Sequence, residues 1–259
     1  MPRQAINLTN QLVGYWLLNE ASGTRVDISG QGNNLTDNNT VTGNPGPSSI
    51  LSLASQFTKT NSESLSIADN ASLSMGAGVR MSVQAWIYID AKPTNATLTI
   101  LSKWTTGVGF ILLYDNRTDT DYFTFIATAS GGSPNASVNA TNFGAPSIGT
   151  WYFVVATYDG TNVNISVNNG AVNSTAYTGD IVDEATAFQI GASEATPSAF
   201  MDGRIAQVLL WKRDLTATER AYLYNGGNGR LWLPGTRTAS GLRTASGLRT
   251  ASGLRTVVS

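Results

Sequence analysis

Residues 150–170 read TWYFVVATYDGTNVNISVNNG, and this stretch decides the fold. Residues 151–158 place aromatic and β-branched side chains at both alternating positions, the composition of a strand buried on both faces. Asp159-Gly160 supplies the positive φ that a tight reversal requires. In the return strand Val163, Ile165 and Val167 share one face, while Asn162, Asn164, Ser166 and Asn168 share the other, because strand side chains alternate with period two. Asn169-Gly170 marks the next reversal, so the segment reads as part of an antiparallel meander.

The same pattern extends outward in both directions. Runs with strand character fall at 12–18, 64–68, 82–89, 97–103, 109–114, 121–128, 187–190 and 204–212, each bounded by turn residues. Strands without intervening helices predict an all-β sandwich. One helix is signalled, over 217–224: Thr216 can cap the free amides, Glu219 can reach back, and Asn225-Gly226 closes the segment.

Composition fits this reading. Of 259 residues, 41% are apolar and only 13% charged, so the polar surface is built from Asn, Thr, Ser and Gly, which suit strands and turns. No apolar window approaches the length of a membrane-spanning helix. Cysteine and histidine are both absent, which removes disulfides, thiolate chemistry, the Ser-His-Asp triad and histidine-ligated zinc from this chain. Carboxylate-pair chemistry remains open. The first residues, MPRQAINLTNQLVGYWLL, show no signal-peptide pattern. Asn-x-Ser/Thr sequons such as Asn7-Leu8-Thr9 and Asn164-Ile165-Ser166 are what so Asn- and Thr-rich a chain produces by chance.

Character changes after Pro234. Residues 238–255 are TASGLR three times over. From Arg230 onward lie five of the 16 basic residues and none of the 17 acidic ones, leaving eleven basic residues against 17 acidic on the body. That asymmetry suits an arm docking on an acidic neighbour, another copy included; a disordered repeat expansion is the other reading. The arm's candidate contacts are Arg237, Leu242, Arg243, Leu248, Arg249, Leu254 and Arg255. The chain thus divides into an N-terminal segment (1–11), a β domain (12–233) and a basic tail (234–259).

Six pieces in order, "LVGYWLLNEASGTRVDISGQGNN", "SVQAWIYI", "TILSKW", "GTWYFVVATYDGTNVNISVNNGAV", "FQIGAS" and "FMDGRIAQVLLWKRDLTATERAYLYNGG", resemble the laminin-G-like family of the concanavalin A-like lectin and glucanase jelly rolls. The match spans about residues 12–229. The resemblance implies two curved antiparallel sheets. Trp16, Trp86, Trp151 and Trp211 each sit within a strand run and read as core anchors.

Binding modules and glycan hydrolases share this fold, so fold alone does not choose between them. The hydrolases carry a Glu-x-Asp-x-x-Glu strand, and none of Glu20, Glu63, Glu184, Glu194 and Glu219 stands in such a pattern. The chain therefore reads as non-enzymatic. The resemblance also implies a calcium ion in some relatives, held by an Asp of the opening loop and acids of the last strand. Asp27, with Asn33 and Asn34, supplies oxygen ligands at the first place, but the last strand reads Ile205-Ala206-Gln207-Val208, with Asp202 as a substitute, so no cofactor is required.

Carbohydrate recognition is what the resemblance most often implies. Asn33, Asn34, Trp104, Tyr114, Asp115, Asn116 and Arg117 combine planar hydrogen-bonding groups with aromatic faces. An acidic body with separated arginines makes nucleic acid a poor partner. The expectation is a surface-displayed adhesion or structural protein, such as a phage or virus-like-particle decoration or fibre protein anchored or oligomerised through its tail. The alternatives are an extracellular lectin-like module and, behind it, a glycan hydrolase.

Overall fold

The computed structural model describes residues 6–117, 120–129, 132, 135–193 and 198–234. The tail residues Arg237, Leu242, Arg243, Leu248, Arg249, Leu254 and Arg255 lie outside the described residues.

The strands are β1 (Leu12–Trp16), β2 (Thr36–Asn38), β3 (Thr42–Pro45), β4 (Leu53–Phe57), β5 (Ser64–Ile67), β6 (Met81–Ile89), β7 (Thr97–Thr105), β8 (Val108–Asp115), β9 (Tyr122–Thr128), β10 (Asn135–Asn139), β11 (Trp151–Tyr158), β12 (Asn162–Val167), β13 (Asn173–Ala176), β14 (Phe188–Ile190) and β15 (Gly203–Trp211). They form two antiparallel sheets. The larger runs β13-β12-β11-β6-β15-β4-β3, with β1 also paired to β15; the smaller runs β10-β9-β8-β7-β14-β5-β2. The expected two-sheet sandwich with one short C-terminal helix is what the chain forms.

The opening stretch occupies the place predicted for it, with two refinements. The β11–β12 loop spans residues 159–161, and only Gly160 takes a positive φ, at 93°. At the second reversal the left-handed residues are Asn168 (52°) and Asn169 (54°), closed by Gly170 N–H donating to the Val167 carbonyl at 2.9 Å. This is the primed turn geometry that matches strand twist, carried by two asparagines and not by the glycine.

Apolar residues fill two compartments. Between the sheets pack Trp16, Phe57, Ile87, Phe110, Phe123, Val154 and their neighbours. On the outer face of the larger sheet a second cluster gathers Tyr15, Trp86, Phe153, Leu209 and Trp211 under a cover made by Leu8, the helix and the segment after it. This is why residues 151–158 are apolar on both faces. Trp16, Trp86 and Trp211 are fully buried; each ring takes on the order of 200 Å² out of water, worth roughly 5 kcal/mol. Trp151 differs from the expectation. It is only half-buried, because it opens its strand at the margin of the outer cluster, where the cover ends.

Helix α1 (Ala217–Tyr224) has the predicted capping box, and Asn225 ends it at φ 50°. Arg213 grips the capping Glu219 through two bonds of 2.7 and 2.9 Å. No helix among the described residues is long and apolar enough to cross a membrane.

Candidate functional site

The expected site residues separate into two groups. Strand β7 joins β8 through a turn at Thr106-Gly107, so Trp104 lies at the turn while Asp115, paired with Thr97, lies at the far end of the hairpin. Seven residue steps at about 3.3 Å put the two about 23 Å apart. Asn33 belongs with Trp104: it bonds Asn70 and Ser72, and the adjacent Asp69 bonds Lys103 at 2.9 Å.

At the first end the polar groups are spent on the fold. Asp27 Oδ1 accepts the amides of Tyr15 (2.9 Å) and Ser29 (2.8 Å), while Oδ2 accepts the Ser29 hydroxyl (2.8 Å) and the Asn33 amide (2.9 Å). A cation would have to displace these donors. Asp202 precedes β15 at its opposite end, six residues and about 20 Å along the strand from Val208, which pairs with Trp16 beside Asp27. The residues present do not fit the calcium site, and among the described residues no group of three acidic side chains could hold a metal ion. Asn33, 2% exposed, is likewise a packing residue: its amide donates to the Val13 carbonyl and its backbone carbonyl receives the Trp16 indole at 2.6 Å. Asn34 is exposed but accepts the Asp27 amide. Trp104 is half-buried beside Lys103, whose ammonium is held by Asp69, Asp183 and the Glu184 carbonyl.

At the second end, Tyr114 and Asp115 are buried, against the expectation that they contact a sugar. Burial, the bond to Asp121 and the nearby carboxylates raise the Tyr114 pKa, so its hydroxyl stays protonated and donates to Asp121 at 2.6 Å. Burial pushes the Asp115 carboxyl up, but the bonds and charge of Arg117 outweigh it and hold the group ionised, below its ordinary range. Asn116 donates to the Pro93 carbonyl at 2.5 Å, and its own amide donates to Ala96. Lys92 clamps Asp121 through both oxygens at 2.7 and 2.8 Å. The bonds of Asn116 and Asp121 tie those two residues to Pro93, Ala96 and Lys92.

Lys92 also borders an open cleft of 530 Å³, lined by Asp90, Ala91 and Lys92 from one segment and Ala145, Pro146, Ser147 and Ile148 from another. Ile148 is 55% exposed, and nearby Phe143, packed edge-on against Tyr152, is 38% exposed. The cleft lining thus combines an acidic and a basic residue with the apolar Pro146 and Ile148, which is the mixture small-ligand sites use. None of its lining residues was singled out from the sequence; they sit in loops without a motif. Asp202 lies behind Asp90, and its carbonyl accepts the Asp90 amide at 3.1 Å. Burial and then the Asp90 charge raise the Asp202 pKa, against the Lys59 amide and charge.

The chain belongs to the concanavalin A-like lectin/glucanases superfamily: its Laminin_G_3 family model matches residues 59–219. Among solved structures, the binding domain of Paraclostridial Mosquitocidal Protein 1 is similar with a TM-score of 0.68 and 14% identity over 85% of this chain and 53% of that one. Domain 4 of AbnA, a GH43 extracellular arabinanase from Geobacillus stearothermophilus in complex with arabinotriose, gives 0.61 and 17% over 82% and 97%. The botulinum neurotoxin serotype G binding domain gives 0.61 and 16% over 82% and 50%. The chain spans about half the length of the two toxin binding domains. No curated protein matches the sequence. At these identities the likeness is one of fold, and the two toxin structures are binding domains.

Proposed function

We propose that this protein is a non-enzymatic carbohydrate-binding module whose ligand enters the cleft between residues 90–92 and 145–148. The observation that carries the reading is the cleft's make-up: Asp90 and Lys92, held by their own partners, line its 530 Å³ together with Pro146 and Ile148. A sugar has the matching character, with hydroxyls for the charged groups and a C–H face for the apolar lip. Asn116 holds the chain just after Lys92 through the Pro93 carbonyl. The arabinotriose complex of AbnA domain 4 supports the class of ligand.

A hydrolase needs two carboxyls facing the scissile bond from either side. Asp90 and Asp202 are the neighbouring pair at this end, but Asp202 is not part of the cleft lining and is tied to the Lys59 amide. The reading is therefore adhesion. Display on a phage or virus-like particle, with residues 234–259 as anchor or oligomerisation arm, follows from the charge asymmetry between tail and body and from the repeat. An extracellular lectin-like module without that anchor is the competing reading.

A glycan array probed with the whole chain tests the first part. Binding to a set of neutral oligosaccharides is expected, and a blank array defeats it. Light scattering tests the second: deleting 235–259 converts the assembly to monomers while the sandwich stays folded, whereas an unchanged mass contradicts the arm.

A further inference from the structure

We infer that the ligand is a chain of several sugars, and that a row of side chains on the larger sheet continues the cleft into an elongated site; this rests on the carbohydrate reading above. Strand register aligns Trp151 with Tyr88, Tyr88 with Arg204, Arg204 with Gln56, and Gln56 with Thr42, across β11, β6, β15, β4 and β3. Four strand spacings of about 4.8 Å make the row about 19 Å long. All of these side chains point to the outer face, because each shares the face of a residue two positions along its strand or across from it: Trp151 with Phe153, Tyr88 with Trp86, Arg204 with Ala206, Gln56 with Ala54, all members of the outer cluster.

The row is where the chain stops covering its own sheet. One step inward, Trp86 stacks on Tyr224 at 6.1 Å and Phe153 on the same ring at 5.6 Å. One step outward, the groups change from buried and apolar to half-buried, planar and hydrogen-bonding. Trp151 and Tyr88 lie 5.4 Å apart, and the Arg204 guanidinium sits 4.4 Å over the Tyr88 ring. Arg204 Nε donates to Gln56 Oε1 at 3.1 Å, Asn44 donates to the same oxygen at 3.0 Å, and Gln56 Nε2 donates to Asp90 Oδ2 at 2.8 Å. A Cβ on Gly203 would come within 2.0 Å of the Tyr88 carbonyl, so the glycine is what lets β15 close on β6 and bring Arg204 over the ring.

Asp90 therefore belongs to both the row and the cleft, which makes them one surface. Two aromatic rings followed by guanidinium and amide edges fit a chain of sugar rings, whose C–H faces stack while their hydroxyls pair. The groups already hold one another, so little ordering is lost on binding. Each charge has its partner, Arg204 with Asp90 at 3.9 Å and Lys92 with Asp121 at 2.7 Å, so the surface suits a neutral oligosaccharide and not an anionic one.

Titration calorimetry on the whole chain tests this, using a neutral oligosaccharide selected on the array at lengths of about one, three and six units. Affinity is expected to rise about tenfold or more with length. Gln56→Ala and Trp151→Ala should flatten that rise while leaving the shortest ligand's affinity within about twofold. Thr42→Arg, at an exposed edge position where folding is not at stake, should block the long ligand alone. Ile148→Asp in the cleft should weaken every length. If the row variants keep the wild-type length dependence while Ile148→Asp still abolishes binding, the elongated site is wrong and the cleft reading stands. If no oligosaccharide of any length binds the wild type, both readings fall.

Discussion

Asp90 Oδ2 accepts the side-chain amide of Gln56 at 2.8 Å, a bond that ties the loop after β6 to the outer face of β4. The carboxylate also stands 3.9 Å from Arg204. Replacing Asp90 by Ala should release both partners. Because the pair is partly exposed, the stability cost should be no more than about 1 kcal/mol, whereas affinity for oligosaccharide should fall at least about tenfold. Paired calorimetry and thermal unfolding separate the two effects.

The two tryptophans that flank the edge of the outer cluster should behave differently. Trp86 is buried under Tyr224, so Trp86→Ala should cost about 3–5 kcal/mol in chemical denaturation. Trp151→Ala removes a half-buried ring and should cost about 1–2 kcal/mol. Equal costs would mean that Trp151 is a core residue after all.

Asp27 is an acceptor for four protein donors, and its removal leaves buried amides of Tyr15 and Asn33 without a partner. Asp27→Ala should destabilise the domain by about 2–4 kcal/mol. Millimolar calcium should leave the thermal midpoint of the wild type unchanged, since a bound ion would raise it.

The Asp159 turn carries a pH signature. Burial acts to raise its pKa, but bonds from Thr161, Asn164 and the Asn162 amide outweigh it and bring it down to about 2. A depressed carboxyl contributes stability that is complete above its unfolded value near 4 and is lost as pH falls through the folded value. Asp159→Ala should thus be less stable than wild type at neutral pH, by about 1–2 kcal/mol. The gap should close between about pH 4 and pH 2 in a series of denaturant titrations.

The long strands and the capped helix were legible because their signals are local: β-branched and aromatic runs between turn residues, and a Thr–Glu pair three apart. Strands β2, β3, β4, β10 and β13 were not, since TDN, TGNP, LASQF, NASVN and NSTA are short and lack a run of β-branched or aromatic residues. They exist because a neighbouring strand offers them a ladder, which is a tertiary cause. The site was less legible still. Residue type had marked Tyr114 and Asp115, but type does not report burial, and their polar groups are taken by Asp121 and Arg117. Trp151 looked like Trp86 in sequence; what separates them is how far the cover reaches across the sheet. Asp90, Lys92 and Ile148 come together only through the packing of two loops distant in the chain.

The most direct measurement combines binding and chemistry in one sample: an array-selected oligosaccharide incubated with the whole chain, titrated for affinity and then recovered and sized. Saturable binding, an intact ligand and loss of binding in Ile148→Asp are expected. Shortened ligand, or binding that Ile148→Asp leaves untouched, would contradict adhesion through this cleft.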